Sequence, residues 1–370
     1  MIPVNAPLLA GREKEYLTEC IETGWISSEG PFVTRFEESF AARVGRKHGV
    51  AVANGSVALD VAVAALDIGP GDEVILPTFT IISCAAPVVR CGATPVLVDC
   101  EADTWNLDVG QIESRITTRT RAIMPVHIYG LPVDMEPLTA LAARYGLRVI
   151  EDAAEAHGQV YHGRPCGSFG DISTFSFYPN KHVTTGEGGM IVTDSDEIAE
   201  RCRSLRNLCF NPARRFVHEE LGWNFRLTNL QAALGVAQLE RLDEFLERKR
   251  RMGRRYTEAL SGLRGKLQLP PDRTKGAENV YWVYGLVLDD SVGFDAREAM
   301  SRLALRGIGT RPFFWPMHEQ PVLIRRGLFA GERYPVAERI ARRGFYVPSG
   351  LALTASEQDS VVAAVEALFA

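Results

Sequence analysis

The chain has 370 residues, with few lysines, no closely paired cysteines and no long apolar run. Its seven cysteines are scattered without a CxxC pair, which argues against a disulfide scaffold and against a zinc finger. No apolar run approaches the roughly 20 residues that span a bilayer. The N-terminus lacks the basic start and apolar core of a secretory signal. These absences predict a cytoplasmic protein with no membrane partner.

The charge balance is acidic, with 41 basic and 46 acidic residues and a formal net charge of −5. This balance argues against a general nucleic-acid binder, because neutralising phosphates requires a basic surface. Only six of the basic residues are lysines, at positions 14, 47, 181, 249, 266 and 275. Five of these occur in polar contexts and are expected to be exposed. A lysine in an apolar, glycine-flanked setting is therefore one of few candidates for a buried, reactive amine.

Short apolar runs alternate with helical stretches through the first half of the chain. The predicted strands are Val50–Ala53, Val74–Leu76, Val96–Val98, Ala122–Val126, Val149–Ile150, Thr174–Phe177 and Met190–Val192. Several are apolar on both faces, as buried parallel or mixed sheets require. The predicted helices between them are Val57–Leu66, Ile81–Arg90, Pro137–Tyr145 and Asp196–Arg206. This alternation predicts an α/β layered domain.

The later part of the chain predicts a second, smaller domain. Thr228–Arg250 is predicted as one long helix, apolar early and charged late, and the charged run around it is expected to face solvent. A strand is predicted over Tyr281–Leu288 and a helix over Ala296–Arg306. We therefore divide the chain into a large domain, residues 1–250 with the N-terminal arm, and a small C-terminal α+β domain, residues 251–370.

Two side chains at strand ends carry chemistry. Asp152 follows a buried strand, where open α/β sheets bind ligands, and a carboxylate there is costly to desolvate unless a cation meets it. The alternative is a helix-capping role for Asp152. Lys181 follows another buried strand and precedes the glycines of TTGEGG. A buried lysine with a lowered pKa is an amine nucleophile toward carbonyls, whereas the alternative is a surface lysine in a loop.

Four further residues complete a pattern. Gly55 and Ser56 stand at a strand-to-helix turn, which binds an anion or is an ordinary turn. Ser176 offers another hydroxyl, and Phe79 stacks on an aromatic ligand or packs in the core. A phosphate turn, an aromatic ring, an acid and a nucleophilic lysine, in that order, are what pyridoxal phosphate (PLP) requires.

At this point the chain resembles the DegT/DnrJ/StrS-type nucleotide-sugar aminotransferases. The segments that carry the resemblance are Gly24–Pro31, Gly69–Thr80, Glu151–Gly158, Ser176–Met190 and Gly222–Gln231. The resemblance spans nearly the whole chain. It implies the fold-type-I, aspartate-aminotransferase-like architecture and a homodimer whose active sites lie at the subunit interface.

The resemblance also implies roles for single residues. Lys181 matches the lysine that binds the cofactor covalently, and Asp152 matches the acid that pairs with its pyridine nitrogen. The phosphate cradle is matched by Gly55, Ser56 and Ser176. The remaining cofactor positions are Phe79 at the ring face, Glu155 near the 3-hydroxyl, where relatives often carry Gln, and Asn224 as a phosphate contact from the partner subunit.

Lysine at position 181 favours transamination over the 3-dehydration of relatives that carry histidine there. Gly309–His318 resembles the same stretch of the GDP-perosamine synthases, which implies amino transfer from glutamate to the 4-keto carbon of GDP-4-keto-6-deoxy-mannose. A dTDP- or UDP-linked 3- or 4-keto sugar, or a non-catalytic regulatory protein of the same fold, are the alternatives. The candidate substrate contacts are Ser27, Arg311, Trp315 and His318. No metal site is expected, because the histidines lack HxH and HExxH spacing.

Overall fold

A computed structural model describes residues 1–211 and 213–370. Its helices are α1 (Glu13–Thr23), α2 (Pro31–Val44), α3 (Gly55–Ala65), α4 (Ala85–Arg90), α5 (Met135–Tyr145), α6 (Asp196–Arg206), α7 (Asn229–Leu239), α8 (Leu242–Ala259), α9 (Ala296–Leu305), α10 (Pro321–Ile324), α11 (Pro335–Arg343) and α12 (Ala355–Glu366). Its strands are β1 (His48–Val52), β2 (Glu73–Pro77), β3 (Thr94–Val98), β4 (Thr120–Ile123), β5 (Arg148–Asp152), β6 (Val160–Tyr161), β7 (Arg164–Pro165), β8 (Ile172–Ser176), β9 (Gly189–Thr193), β10 (Leu267–Gln268), β11 (Tyr284–Leu288), β12 (Arg311–Pro312) and β13 (Gly344–Val347).

The central element is a seven-stranded sheet in the order β1-β9-β8-β5-β4-β2-β3. Neighbours from β8 through β3 pair in parallel, and only β9 runs antiparallel to both of its neighbours. All seven strands lie where the apolar runs predicted them. The expected α/β class and mostly parallel sheet are therefore confirmed.

Two hydrophobic cores cover the two faces of this sheet. Along β1, Val50 and Val52 join one core and Ala51 joins the other, because successive side chains of a strand point to opposite faces. Side chains of α3, α4 and α6 fill the first core, and those of α1, α2, α5 and α7 fill the second. Burial on both faces explains why these strands lack alternation between apolar and polar residues.

The C-terminal part forms a four-stranded antiparallel sheet in the order β10-β11-β13-β12, packed with side chains of α9 and α12. The N-terminal arm joins this part. The amide of Ile2 donates to Gly307 O at 2.8 Å, and the amide of Ser349 donates to Val4 O at 3.1 Å. The arm thus contacts the small domain, whereas the predicted division places it with the large domain. The division at residue 250, which falls inside α8, stays a prediction.

Two helix predictions need correction. The segment predicted as one helix, Thr228–Arg250, is two helices that break at Glu240 and Arg241. Charged residues replace the apolar ones at this break, and such a change does not by itself predict that a helix ends. The predicted helix Ile81–Arg90 begins only at Ala85, because the residues before it form a turn at the cavity described below. Across residues 1–211 and 213–370, no helix combines the length and apolar character that crossing a membrane requires.

Candidate active site

A cavity of about 630 Å³ opens at the carboxyl ends of the parallel strands. Asp152 ends β5 and Ser176 ends β8, while Asn54 follows β1 and Thr80 follows β2. All four line the cavity, because parallel strands bring their carboxyl ends to one edge of the sheet. Lys181 lines it as well. Residues far apart in sequence are thereby collected at one site.

Lys181 presents its amine inside this cavity. Its side chain is only 9% exposed, and Nζ lies 3.6 Å from Glu155 Oε1. The same nitrogen lies 3.7 Å from the centre of the Trp282 ring. Burial lowers the pKa of the lysine, although the charges of Glu155 and Asp152 oppose this shift. A lowered pKa increases the fraction of free amine, which is the nucleophilic form.

Asp152 is buried beneath the cavity. Its Oδ1 accepts from the amide of Ala154 at 3.0 Å, and its Oδ2 accepts from the Cys84 thiol at 3.3 Å. Burial raises the pKa of this carboxyl, while the two hydrogen bonds and the charge of Lys181 counteract the rise. The alternative role, capping a helix that follows Asp152, is not found, because residues 153–159 form turns and the next element is β6. The two hydrogen bonds coexist because the carboxylate has two oxygens.

Glu155 is the second buried carboxyl of the cavity. Its Oε2 accepts from the amide of Tyr129 at 2.9 Å, while Oε1 faces Lys181. Burial raises its pKa to about 7, with the charge of Lys181 as the main opposing influence. The carboxyl is thus poised to exchange a proton with a neighbouring group near neutral pH.

The strand-to-helix turn lines the cavity and presents groups that suit an anion. The Asn54 side chain caps α3 by accepting from the amide of Val57 at 3.0 Å, which leaves other amides of the first turn free. Ser56 hydrogen-bonds to Ser83 at 2.8 Å between the two hydroxyl oxygens. A Cβ at Gly55 would lie 2.5 Å from Ser176 Cβ, so only glycine permits this close approach.

Phe79 does not lie where the sequence predicted it. Its ring is fully buried and packs against Tyr129, Phe313 and Phe314, and it does not line the cavity. Ile81, two residues further on, does line the cavity and is 46% exposed. The geometry therefore contradicts ring stacking by Phe79. The chain after β2 therefore does not keep the strict alternation of a strand, since the consecutive residues Thr80 and Ile81 both line the cavity and Phe79 does not.

The four candidate substrate residues do not line this cavity in the single chain. Ser27 and Arg311 are exposed, and Trp315 is exposed with the Arg342 guanidinium 5.0 Å from its ring centre. His318 is buried, where Thr78 Oγ1 lies 2.9 Å from Nδ1 and Glu338 Oε1 lies 3.2 Å from Nε2. His318 therefore pairs with side chains in the interior. The aromatic residues that do reach the cavity are Phe314, Tyr346, Tyr178 and Trp282.

Asn224 is exposed and also lies outside the cavity of its own chain. Its Oδ1 accepts from Arg226 Nε at 3.0 Å. This position neither tests nor excludes a contact with the site of a second subunit, so the predicted cross-subunit role stays a prediction.

Glu151 points to the opposite face of β5 from Asp152, as expected from strand alternation. It is fully buried, and its oxygens accept from His127 Nε2 at 2.9 Å, from Ser173 Oγ at 3.0 Å and from the amide of Phe169 at 2.8 Å. Burial opposes its ionisation, but the hydrogen bond and charge of His127 outweigh this and lower the pKa of Glu151. The residue anchors the loop before β8 and takes no part in the cavity.

Sequence reasoning missed two residues close to Lys181. Trp282 comes from the segment before β11 and supplies the ring beside Nζ. Lys249 was expected on a solvated helix face but is buried, and its Nζ donates to Trp282 O at 2.9 Å. The sequence did carry one signal for the burial of Lys249. The residue continues the helical spacing of the buried series Leu242, Phe245, Leu246 and Met252 on α8.

The polar groups that line the cavity are of the kinds that PLP needs. A buried amine, two buried carboxyls and an anion site of amides and hydroxyls share one cavity. Gly55 also leaves free the space next to Ser176 that a Cβ would fill. Together with the sheet, this constellation defines the class as an enzyme that works through a lysine-bound cofactor of the fold-type-I kind.

The comparison with known proteins then identifies the group. The chain belongs to the DegT/DnrJ/EryC1/StrS aminotransferase family, which matches residues 7–366. It is 44% identical to the GDP-perosamine synthase of Caulobacter vibrioides, over 99% of this chain and 97% of that protein. It is 41% identical to the GDP-perosamine synthase of Escherichia coli O157:H7, over 94% of this chain and 93% of that protein. The structure of S. venezuelae DesV matches with a TM-score of 0.88 at 36% identity, covering 96% of this chain and 94% of that one.

The expected family, fold type and enzyme class are thereby confirmed, and with the family its cofactor PLP. The alternative of a non-catalytic protein loses its support, because the amine and both carboxyls of the site are in place.

Proposed function

We propose that this protein transfers an amino group from glutamate to the 4-keto carbon of GDP-4-keto-6-deoxy-mannose and so forms GDP-perosamine. The observation that carries the reaction type is the buried amine of Lys181, 3.6 Å from Glu155, in one cavity with Asp152. The choice of sugar is supported by relatives named GDP-perosamine synthase that match over nearly their full length.

Lys181 holds the cofactor and then moves the proton. Bound PLP supplies an electron sink that stabilises negative charge at the carbon losing a proton. The lysine amine, once released from its covalent bond, is positioned to take a proton from one carbon and return it to another. Its low exposure keeps bulk water away from this transfer.

The other residues orient and tune the cofactor. Asp152 would pair with the ring nitrogen and keep it protonated, which a buried carboxylate does well in a low-dielectric site. Glu155 holds or releases a proton near the 3-hydroxyl. The amides of the α3 turn, with Gly55, Ser56 and Ser176, bind the phosphate.

We also propose a cytoplasmic homodimer with shared active sites. Asn224 would reach the phosphate site of the second subunit, which agrees with its exposure outside its own cavity. All seven cysteines of the chain are free thiols, and six are buried, as a reducing compartment permits.

A substrate panel tests the proposed reaction. Purified enzyme is incubated with glutamate and, separately, with GDP-, dTDP- and UDP-linked 4-keto-6-deoxyhexoses and with a 3-keto sugar, and the aminated product is quantified by mass spectrometry. We expect kcat/KM at least about tenfold higher for the GDP-linked 4-keto sugar. A preference for another nucleotide would replace the sugar assignment by the dTDP or UDP alternative.

Borohydride reduction tests the aminotransferase chemistry independently of the sugar. We expect reduction of the PLP-loaded enzyme to fix the cofactor mass on the peptide that contains Lys181. Label on a different lysine, or none after reconstitution with PLP, would refute the assigned role of Lys181.

A further inference from the structure

A second, much smaller cavity also borders Lys181. Its volume is about 10 Å³, which is close to the room that one water molecule needs. It is lined by the Lys181 loop, by the N-terminal arm and by α8, and its polar side chains include Asn180, His182 and Lys249. The pocket is polar, so it differs from an ordinary packing defect between apolar side chains.

Three polar groups at this cavity have unused hydrogen-bonding capacity. Among the described protein atoms, Asn180 Oδ1 and His182 Nδ1 are buried without a partner. His182 Nε2 lies 3.0 Å from Val280 O, and since a carbonyl only accepts, Nε2 carries the proton and Nδ1 is an acceptor. The protonated form of Lys249 donates to Trp282 O at 2.9 Å and to Ser349 O, which leaves its third proton unassigned. Burial lowers the pKa of Lys249 to about 7, so this form predominates below neutral pH.

One donor and two acceptors are the partners that a single water molecule can satisfy. A water accepts one hydrogen bond from the Lys249 ammonium and donates one each to Asn180 Oδ1 and His182 Nδ1. Each of these groups costs free energy if it stays unpaired in the interior, so the water removes three penalties at once. Burial lowers the pKa of His182, which agrees with a neutral ring that accepts at Nδ1.

We propose that Lys249 and one bound water form a polar support that positions Lys181, and that Lys249 is therefore a positioning residue of the enzyme. The support acts from two sides. Through the water it holds Asn180 and His182, the two residues that flank Lys181 in the chain. Through the carbonyl of Trp282 it holds the residue whose ring lies 3.7 Å from Lys181 Nζ.

Two further contacts carry this effect to the amine. The Trp282 indole Nε1 donates to Asn180 O at 2.8 Å, so the ring and the Lys181 loop are tied directly. The ring face favours the protonated amine by a cation–π interaction. A Trp282 ring that loses its anchor therefore lowers the pKa of Lys181. The catalytic consequence of this inference rests on the proposed role of Lys181. The water site does not depend on that role.

Lys249→Met tests the positioning role in the full-length enzyme, because it keeps the apolar stem and removes the ammonium. The pKa of Lys181 is measured in the cofactor-free protein from the pH dependence of its acylation by acetic anhydride, read by mass spectrometry. Loss of the positive charge of Lys249 by itself raises the pKa of Lys181, so the lower pKa that we expect can come only from loss of the Trp282 contact. In the PLP-loaded enzyme we expect kcat to fall roughly tenfold while KM for the sugar changes by less than about twofold.

Lys249→Arg separates the two parts of the support. Its guanidinium still donates to both carbonyls but fills the space of the water, so we expect kcat between those of Lys249→Met and the wild type. Arg251→Met is the matched control, since Arg251 lies on the same helix with a side chain that is 63% exposed. We expect wild-type values for Arg251→Met. A folded Lys249→Met protein with an unchanged Lys181 profile would overturn the positioning role.

A crystal structure of the wild-type enzyme at about 1.5 Å or better tests the water without any variant. We expect an ordered water within hydrogen-bond distance of Lys249 Nζ, Asn180 Oδ1 and His182 Nδ1. Clear density for these side chains without a water between them would overturn the water site. Failure of borohydride to label Lys181 would refute the proposed function and leave this observation intact.

Discussion

Asp152 and Glu155 are two buried carboxyls in one cavity with different surroundings. Asp152 accepts from a thiol and an amide, while Glu155 faces the amine of Lys181. Burial raises the pKa of both, and that of Glu155 reaches about 7. Neighbours that differ in this way support different tasks, a fixed charge for the ring nitrogen and a proton-exchanging group near the 3-hydroxyl.

Asp152→Asn tests the fixed charge. The amide cannot keep a ring nitrogen protonated, so we expect kcat to fall about 100-fold or more while the protein stays folded. Steady-state rates with the preferred sugar measure the effect. Asp99→Asn is the control, because Asp99 is also a buried carboxyl after a sheet strand but lies outside the cavity. Equal rate losses in both variants would contradict a specific role for Asp152.

His157 makes stability depend on pH. Its ring is fully buried, and burial together with the charge of Lys181 lowers its pKa from 6.5 to about 3. Below about pH 6.5 the unfolded chain binds a proton that the folded chain excludes, so the free energy of unfolding falls as the pH falls toward 3. The slope reaches about 1.4 kcal/mol per pH unit for one histidine. Glu155 has the opposite sign between pH 4.5 and about 7, because its folded pKa is raised.

His157→Phe isolates the histidine contribution. The substitution keeps an aromatic ring beside Phe40, Phe175 and Phe177 and removes the titration. We expect the loss of unfolding free energy between pH 6.5 and 5.5 to be smaller in the variant by about 1 kcal/mol. Urea unfolding at both pH values measures it. An identical pH dependence in the two proteins would mean that His157 does not set this slope.

Among the elements, α3 links stability to cofactor binding. Its first turn is held by the Asn54 cap and lines the cavity. Asn54→Ala should cost about 1 kcal/mol of stability and also weaken PLP binding, because the amides of the turn lose their fixed orientation. Thermal unfolding and PLP titration measure the two effects.

Thr354→Ala on α12 is the control for this prediction. Thr354 caps its helix with a complete capping box but lies away from the cavity. We expect a similar loss of stability with unchanged PLP affinity. If both variants bind PLP equally well, the α3 turn does not bind the phosphate.

The elements also show where sequence reasoning works and where it fails. The seven strands were found because each is an apolar run, a local property of the chain. The break at Glu240 and the burial of Lys249 were missed, since both depend on what packs against α8. The direction of Phe79 was missed for a related reason. Strands buried on both faces carry no alternation that says which side of the sheet a following residue will face.

At the scale of the whole molecule, the proposed homodimer predicts complementation between two defective chains. Lys181→Ala removes the amine from its own site, and Asn224→Asp places a negative charge against the phosphate in the site of its partner. A mixed dimer then has one site with both defects and one intact site. Equal co-expression should restore up to about a quarter of the wild-type activity, because half of the dimers are mixed.

Each variant expressed alone is the control and should have little activity. Two different affinity tags on the two variants, purified one after the other, verify that mixed dimers form. Mixed dimers without restored activity would show that Asn224 acts within its own subunit or has no role in phosphate binding.

The layered α/β fold, its seven central strands, and the positions of Lys181, Asp152 and the α3 turn follow from local patterns in the sequence. The surroundings of the amine depend on tertiary packing. Trp282 and Glu155 contact Lys181 from separate parts of the chain, and Lys249 and the N-terminal arm line the small cavity beside it. Those contacts arise from packing between segments far apart in the chain, and the pKa of the lysine depends on the burial that the packing creates.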